Sequence, residues 1–140
     1  MVNKQFIAQR LVLIDFFLRE LYKLSALDKA SFLSDTRNPA AGESFLRRAL
    51  EAIFDVGRHI LAKTGYMEMA TEYKAIAQGL KEAGIVDEAL SKKLVQMAGY
   101  RNRLVHLYNL VSDEELYTVI CSNLKDIEDF IAAIKRYVQI

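Results

Sequence analysis

Several features that mark common classes of protein are scarce or absent in this chain of 140 residues. Cys121 is the only cysteine, which excludes an internal disulfide and fits a reducing compartment, so we expect a cytoplasmic protein. No apolar run reaches the roughly 18 residues that a membrane span requires, so we expect no membrane association. Charges interrupt the apolar residues near the start of the chain, so we expect no signal peptide.

Motifs for well-known chemistries are missing too. The sequence has no glycine-rich phosphate loop, no paired-cysteine metal site and no Gly-x-Ser-x-Gly nucleophile motif. Groups that titrate near neutral pH are scarce, because the chain has only two histidines, His59 and His106. A net charge of +1 gives no general attraction for polyanions, so nucleic-acid binding must use a local basic cluster such as Arg101 and Arg103.

The apolar residues, 52% of the chain when alanine and tyrosine are counted, recur at helical spacing. We predict helices at about residues 3–27, from 39–43 to 64, at 71–83 and at 87–108, with a connector at 26–37. The only proline, Pro39, follows Asn38, and this pair predicts an N-cap and a first helical position. Gly65 and Gly84 mark helix ends, and Asp87 is predicted to cap the fourth helix.

The clearest amphipathic pattern follows Ser112-Asp113-Glu114-Glu115, a Ser-x-x-Glu capping box. Apolar residues recur there in steps of three or four from Leu116 to Val138. With no strand pattern anywhere, the sequence predicts an all-α, up-and-down bundle of about five helices.

The first predicted helix has more apolar surface than one core-facing stripe can use, because only Asp15 is polar between Leu11 and Leu18. Either this helix is central in the bundle, or a second subunit buries its other side. We favour the second explanation and predict a homodimer.

The most informative segment is residues 101–108, which brings together Arg101, Asn102, Arg103, His106 and Tyr108. On a regular helix Arg101 lies on the apolar stripe, so its charge needs an acidic partner. The second helix offers two carboxylates at the right register, Glu51 and Asp55. The plainest interpretation of such a pair is a core ion pair that organises the bundle.

His106 lies about 140° around a straight helix from Arg101, whereas Asn102, Arg103 and His106 share a face that Gly99 leaves open. Convergence of Arg101 and His106 on one phosphate therefore requires a distorted helix or a cleft shared by two copies of the chain. The alternative is that His106 is an exposed or hydrogen-bonded structural residue.

Other candidate residues carry weaker signals. Asp55 and His59 have the i, i+4 spacing of metal ligands, but they lack a third ligand, so we predict no metal site and a paired, structural His59. Cys121 is interpreted as a packing thiol. The tyrosines at helical spacing are expected to serve the core or an interface rather than base stacking, namely Tyr66, Tyr73, Tyr100, Tyr108 and Tyr117.

The pattern Arg101-x4-His106-x-Tyr108 resembles the motif of the HepT toxins, which belong to the HEPN superfamily of helical ribonucleases. Asn102, the segment of residues 55–59 and the helical layout also resemble HepT chains, so the resemblance spans nearly all of a single domain, residues 1–140. It implies a homodimeric endoribonuclease of a type II toxin–antitoxin system that works on RNA without a metal or other cofactor.

The resemblance also implies roles for the motif residues. His106 would act as general base or acid while the RNA 2′-OH attacks the adjacent phosphate, which leaves a 2′,3′-cyclic phosphate. Arg101, aided by Arg103, would stabilise the phosphorane, and Asn102 would orient His106 or the phosphate. Asp55 is a candidate partner behind Arg101 because of its place on the second helix, not because of the resemblance.

An antitoxin of the MNT type, a minimal nucleotidyltransferase, is the partner implied by the resemblance. It would inactivate the protein by AMPylation of Tyr108, which adds charge and bulk beside His106. Two alternatives remain. The chain could be a non-catalytic HEPN-type subunit that binds a nucleotide or docks a nucleotidyltransferase, or a structural bundle in which Arg101 pairs with Asp55.

Overall fold

The computed structural model describes residues 2–106 and 111–140, and the regular structure in these two parts is entirely helical. Six α-helices are present there, together with one 3-10 turn at Met67–Met69. The helices are α1 Lys4–Ser25, α2 Lys29–Ser34, α3 Arg37–Lys63, α4 Tyr73–Glu82, α5 Glu88–Val105 and α6 Asp113–Val138. The all-α prediction is confirmed, with one helix more than expected.

Short polar side chains define several helix starts. The side chains of Asp87 and Ser112 accept hydrogen bonds from backbone N–H groups three residues on, which confirms both predicted caps. Asn3 and Asp28 cap α1 and α2 in the same way. Gly65 follows the end of α3 with a left-handed φ of 90°, a conformation that glycine adopts without steric cost.

The predicted connector at residues 26–37 was wrong in part, because it contains α2. The Asp28 cap and the fully buried ring of Phe32 stabilise this short helix, a tertiary contact that local polarity did not reveal. The start of α3 also differs from the prediction. Pro39 is the third residue of α3 rather than the first, and Asn38 donates its side-chain amide to the Ser31 carbonyl instead of capping the helix. Proline fits there because N–H groups in a first helical turn have no intrahelical partner.

Helix α3 is the centre of the bundle, since it packs against α1, α2, α4, α5 and α6. The apolar stripe predicted for it is completely buried, which confirms that part of the pattern. The stripe consists of Leu46, Leu50, Ile53, Gly57, Ile60 and Leu61. Along α6 the predicted stripe is likewise buried except for Ile131, which is half-buried.

Helix α1 is therefore not central, and the first explanation of its apolar excess was wrong. Leu11, Ile14 and Leu18 are buried against the core. The side chains of Val12 and Phe16, in contrast, are 72% and 52% exposed, and Leu13 is also exposed. We call Val12, Leu13 and Phe16 the α1 patch. The single chain leaves this patch uncovered.

The structure corrects the view of Cys121 as well, because its side chain is exposed on α6 instead of packed in the core. The tyrosines predicted for the core do pack against it where they are described, namely Tyr66, Tyr73, Tyr100 and Tyr117. Among the described residues, no helix is both long enough and apolar enough to cross a membrane.

Candidate functional site

The candidate site is formed by the C-terminal half of α5 and by the residues of α3, α4 and α6 around it. Arg101 points from α5 to α3, where its Nη2 donates to Glu51 Oε2 at 3.1 Å. Its guanidinium also lies over the ring of Tyr73, 4.7 Å from the centroid, a cation–π contact. The Arg101 and Glu51 side chains are 27% and 32% exposed, so the pair is half-buried.

Each partner of Arg101 is itself fixed by a neighbour. Tyr73, the first residue of α4, stacks on Phe54 with ring centroids 4.4 Å apart and planes inclined by only 10°. Burial raises the pKa of the Tyr73 phenol. Tyr73 therefore serves as a packing surface for Arg101 rather than as a general acid. Glu51 also accepts a hydrogen bond from Arg47 Nη1 at 3.4 Å. Arg101 Nε is buried and has no hydrogen-bond partner among the described residues.

Asp55 is not the partner of Arg101, which corrects the assignment of Asp55 as the acid behind the motif. Its Oδ1 accepts from Arg58 Nη1 at 3.4 Å, one turn away on α3. On a helical wheel, Glu51 and Asp55 both lie on the side of α3 that can face α5. Which of them pairs with Arg101 depends on the point along α3 at which α5 crosses it. The sequence did contain a signal for this pairing, because Arg58 lies three residues after Asp55 on the same helix.

Arg103 lies on the α6 side of α5 and forms a two-pronged ion pair with Glu115. One contact joins Arg103 Nη2 to Glu115 Oε1 at 2.9 Å, and the other joins Nη1 to Oε2. This guanidinium holds the pKa of the Glu115 carboxyl below its usual value. Sequence reasoning missed Glu115 because it assigned this residue to the helix cap alone. Its backbone N–H does bond Ser112, while its carboxylate turns to Arg103.

His106 is outside α5, and the prediction that the helix continues to about residue 108 was wrong. The helix ends at Val105, and His106 has extended backbone angles, φ −97° and ψ 115°. Its N–H still bonds the carbonyl oxygen of Asn102 at 3.2 Å. The helical bond of its N–H keeps His106 at a helical position, so the angle of about 140° from Arg101 still applies, and the backbone departs from the helix only at His106 itself. The His106 side chain is exposed, and Tyr108 lies outside the described residues.

Asn102 is exposed on the last turn but one of α5, between the two arginines. Its Oδ1 lies 3.5 Å from Arg101 Nη1, the outer limit of a hydrogen bond, and its backbone carbonyl accepts from His106. Asn102 thus contacts both Arg101 and His106, one through its side chain and the other through its backbone.

His59 is a structural residue, as expected. Its Nε2 accepts from the backbone N–H of Asn3 at 3.0 Å, and its ring lies 4.7 Å from that of Phe6. Burial, followed by the charge of Lys63, lowers the pKa of His59, which keeps the imidazole neutral and able to accept this bond. The described residues contain no group of three or more His, Cys, Asp or Glu side chains placed to hold a metal ion.

Comparison with known proteins gives this arrangement a family. Residues 14–134 match the model of the Ribonuclease HepT-like family. A tRNA nuclease HepT from Aphanizomenon flos-aquae is 28% identical over 131 residues, which cover 94% of this chain and 88% of that protein. A putative RNase from Archaeoglobus fulgidus is 32% identical over 94 residues, which cover 67% of this chain and 64% of that protein.

Solved structures share the fold. A tri-AMPylated Shewanella oneidensis HEPN toxin in complex with an MNT antitoxin has a TM-score of 0.82 at 23% identity, covering 97% of this chain and 99% of that one. A cytosolic protein of unknown function, YutE from Bacillus subtilis, has a TM-score of 0.80 at 24% identity, covering 99% and 92%. The molecule thus shares the helical fold of that HEPN toxin. The chain belongs to the HepT-like ribonuclease family.

The contacts of Arg101 predict a measurable effect on stability. Arg101→Ala should lower the free energy of unfolding by about 1–2 kcal/mol, because it removes a half-exposed ion pair and a cation–π contact. Arg47 remains paired with Glu51 in this variant, so the loss should stay below the roughly 3–5 kcal/mol of a broken buried pair. Urea denaturation of the two proteins measures the difference.

Arg58→Ala is the matched control. Arg58 is 41% exposed, its bond to Asp55 is 3.4 Å long, and its guanidinium lies farther from Tyr73, at 5.8 Å. Its removal should cost about 0.5 kcal/mol or less. Equal losses from the two substitutions would show that Arg101 is no better anchored than an ordinary surface arginine.

Proposed function

We propose that this chain is the toxin of a toxin–antitoxin pair, a metal-independent endoribonuclease that cleaves RNA by attack of a 2′-OH on the adjacent phosphate. The observation that carries the proposal is the placement of Arg101 and His106. Arg101 is anchored between Glu51 and Tyr73, and five residues later an exposed histidine leaves the end of the same helix. Membership of the HepT-like family and a relative named as a tRNA nuclease support this choice.

Each motif residue has a distinct role in the proposed reaction. His106 accepts the proton of the 2′-OH or donates one to the 5′-oxygen that leaves. Arg101 stabilises the added charge on the phosphorane, for which a planar fork already held by Glu51 and Tyr73 loses little freedom. Asn102 orients His106 or the phosphate, with its side chain beside Arg101. Arg103 is a second cation, and a phosphate must compete with Glu115 for it.

The reaction closes a ring on the phosphate itself, so the fragments end in a 2′,3′-cyclic phosphate and begin with a 5′-hydroxyl. This step needs a group that transfers a proton and a group that stabilises charge on the phosphorane. His106 supplies the first and Arg101 the second. In this scheme the reaction requires neither a metal nor another cofactor.

We further propose that the active unit is a homodimer in which each copy of the chain forms one domain, residues 1–140. The α1 patch supports the dimer, because Val12 and Phe16 are large apolar side chains that the fold of one chain leaves in water. The α1 patch also lies on a regular helix, so a second copy of the chain can pack against it without rearrangement of the backbone.

The proposed partner is a nucleotidyltransferase antitoxin of the MNT type that AMPylates Tyr108. Solved HEPN toxins of the same fold occur in complexes with such antitoxins, one of them in tri-AMPylated form. An AMP group two residues from His106 would place a negative charge near the position proposed for the substrate phosphate, and the two would repel each other.

His106→Ala should reduce RNA cleavage by about 100-fold or more, because the proposed proton transfer then has no donor or acceptor. His59→Ala is the matched control. It removes the other histidine, whose contacts are with Asn3 and Phe6, so it should retain most of the activity. Cleavage of a labelled RNA in buffer containing EDTA, at equal amounts of folded protein, compares the variants.

Full activity in His106→Ala, or equal loss in both variants, would contradict the assignment. RNA that is bound but not cleaved by the wild-type chain would favour the alternative, a non-catalytic nucleotide-binding or nucleotidyltransferase-docking subunit. Sedimentation of the same samples tests the dimer. Both variants should sediment as the wild type does, and a wild-type monomer that cleaves RNA would remove the dimer from the proposal.

Tyr108→Phe should keep much of the nuclease activity and escape inactivation. A phenol with a pKa near 10 is a poor acid or base at neutral pH, but its hydroxyl is the group that an AMP-transferring enzyme would modify. The variant and the wild type are incubated with an MNT-type antitoxin, ATP and magnesium, and intact mass and RNase activity are followed. Additions of AMP mass on the Phe variant, or none on the wild type, would exclude Tyr108 as the modified residue.

A further inference from the structure

A second feature of α5 lies on the face opposite Arg101, where α5 and α6 leave a cleft of about 530 Å³ between them. We call it the α5–α6 cleft. The residues that matter for its chemistry are Gln96, Gly99, Tyr100, Arg103, Ser122 and Asn123. Its volume is in the range of pockets that hold small molecules, which runs from roughly 300 to 1,000 Å³.

Gly99 opens this cleft, and it differs from the other glycines. A Cβ atom built on Gly99 meets no atom within 4 Å, whereas on Gly57 it would lie 2.6 Å from Ile76 Cγ2. Close packing or a positive φ accounts for every other glycine, namely Gly42, Gly57, Gly65, Gly79 and Gly84. The fold of one chain thus gives no reason for a glycine inside α5, where this residue weakens a helix. A ligand that approaches the α5 backbone closely would explain why residue 99 is a glycine.

The lining has a definite chemical character. Gln96, Ser122 and Asn123 present amide and hydroxyl groups that have no hydrogen-bond partner among the described residues. Tyr100 adds an aromatic wall, half-buried against the core. None of the described residues that line the cleft is a carboxylate, whereas another cleft, of about 620 Å³ beside Gly84, is lined by three aspartates. The lining therefore suits a neutral, planar, polar ring better than a cation.

Arg103 connects this cleft with the candidate active site, because it lines the cleft and belongs to the same turn of α5 as Arg101. From Gly99 to His106 the chain rises roughly 10 Å along the helix axis. A short stretch of single-stranded RNA can span this length. A strand whose phosphate is at His106 can thus reach back over Arg103 into the cleft.

We propose that the α5–α6 cleft is a nucleobase subsite, in which Gln96 and Asn123 hydrogen-bond the edge of one base beside the cleaved phosphate and Tyr100 contacts its face. The subsite gives the ribonuclease a base preference. This inference rests on the proposed function only in naming RNA as the ligand. The binding of a base can be measured without any cleavage.

The probes are four fluorescein-labelled trinucleotides, each with a single type of base and 2′-O-methyl groups, which lack the attacking hydroxyl. Fluorescence anisotropy measures their binding to the full chain. The wild type should prefer one base. Gly99→Leu, which extends a side chain into the cleft, and Asn123→Ala should weaken binding of that trinucleotide roughly tenfold and abolish the preference. Gln78→Ala, which removes an exposed amide on α4, should bind as the wild type does.

Gly99→Ala checks that the fold accepts a side chain at this position, and it should melt no lower than the wild type because its Cβ meets open space. Equal binding of all four trinucleotides by the wild type, or unchanged binding in Gly99→Leu and Asn123→Ala, would overturn the proposal. A change in sedimentation of Gly99→Leu with unchanged binding would also overturn it, because a second copy of the chain would then occupy the cleft. A base preference in a protein that cleaves no RNA would support the subsite and contradict the proposed function.

Discussion

The anchoring of Arg101 to α3 is the interaction on which the rest of the site depends. Helix α3 packs against every other α-helix described, so a side chain attached to it has a fixed position relative to the whole bundle. Glu51 holds the guanidinium at one edge, and Tyr73 covers its face. A preformed cation of this kind can meet a developing negative charge without reorganising during the reaction.

The end of α5 would be an unfavourable place for the proposed substrate phosphate without the two arginines there. The last carbonyl groups of a helix carry a partial negative charge, so a phosphate near His106 needs a source of positive charge to offset it. Arg101 and Arg103 supply this charge from opposite faces of the final turns. Glu115 balances Arg103, so the cationic character of the site depends on what competes for that guanidinium.

Most of the fold could be predicted from the sequence, because local chemistry determines it. Capping by Asp87 and Ser112 and the apolar stripe of α3 follow from propensity and periodicity alone. Helix α2 was missed because the contact that stabilises it, the buried ring of Phe32, is tertiary. The sequence motif identified the family to which the chain belongs, but it did not reveal which acid would meet Arg101. The pairing with Glu51 rather than Asp55 depends on the point along α3 at which α5 crosses it. Local sequence patterns do not determine this point.

The end of α5 before His106 differs from the expected helix to about residue 108, but it leaves the position of His106 relative to Arg101 nearly unchanged. A helix points Arg101 and His106 in different directions, so their joint action on one phosphate requires two chains or a distortion. His106 departs from the helix only through its own backbone angles and keeps the helical bond to Asn102, so this requirement still holds. The case for a dimer rests on the exposed α1 patch and on the angle between these two residues.

Arg101 and His106 are proposed to form a ribonuclease centre that uses the 2′-OH of the RNA. The most direct test is mass spectrometry of the fragments after the wild-type chain acts on RNA in the presence of EDTA. We expect cleavage without added metal and fragments that end in a 2′,3′-cyclic phosphate. Fragments with a free 3′-hydroxyl, or cleavage that stops when metal is chelated, would contradict it.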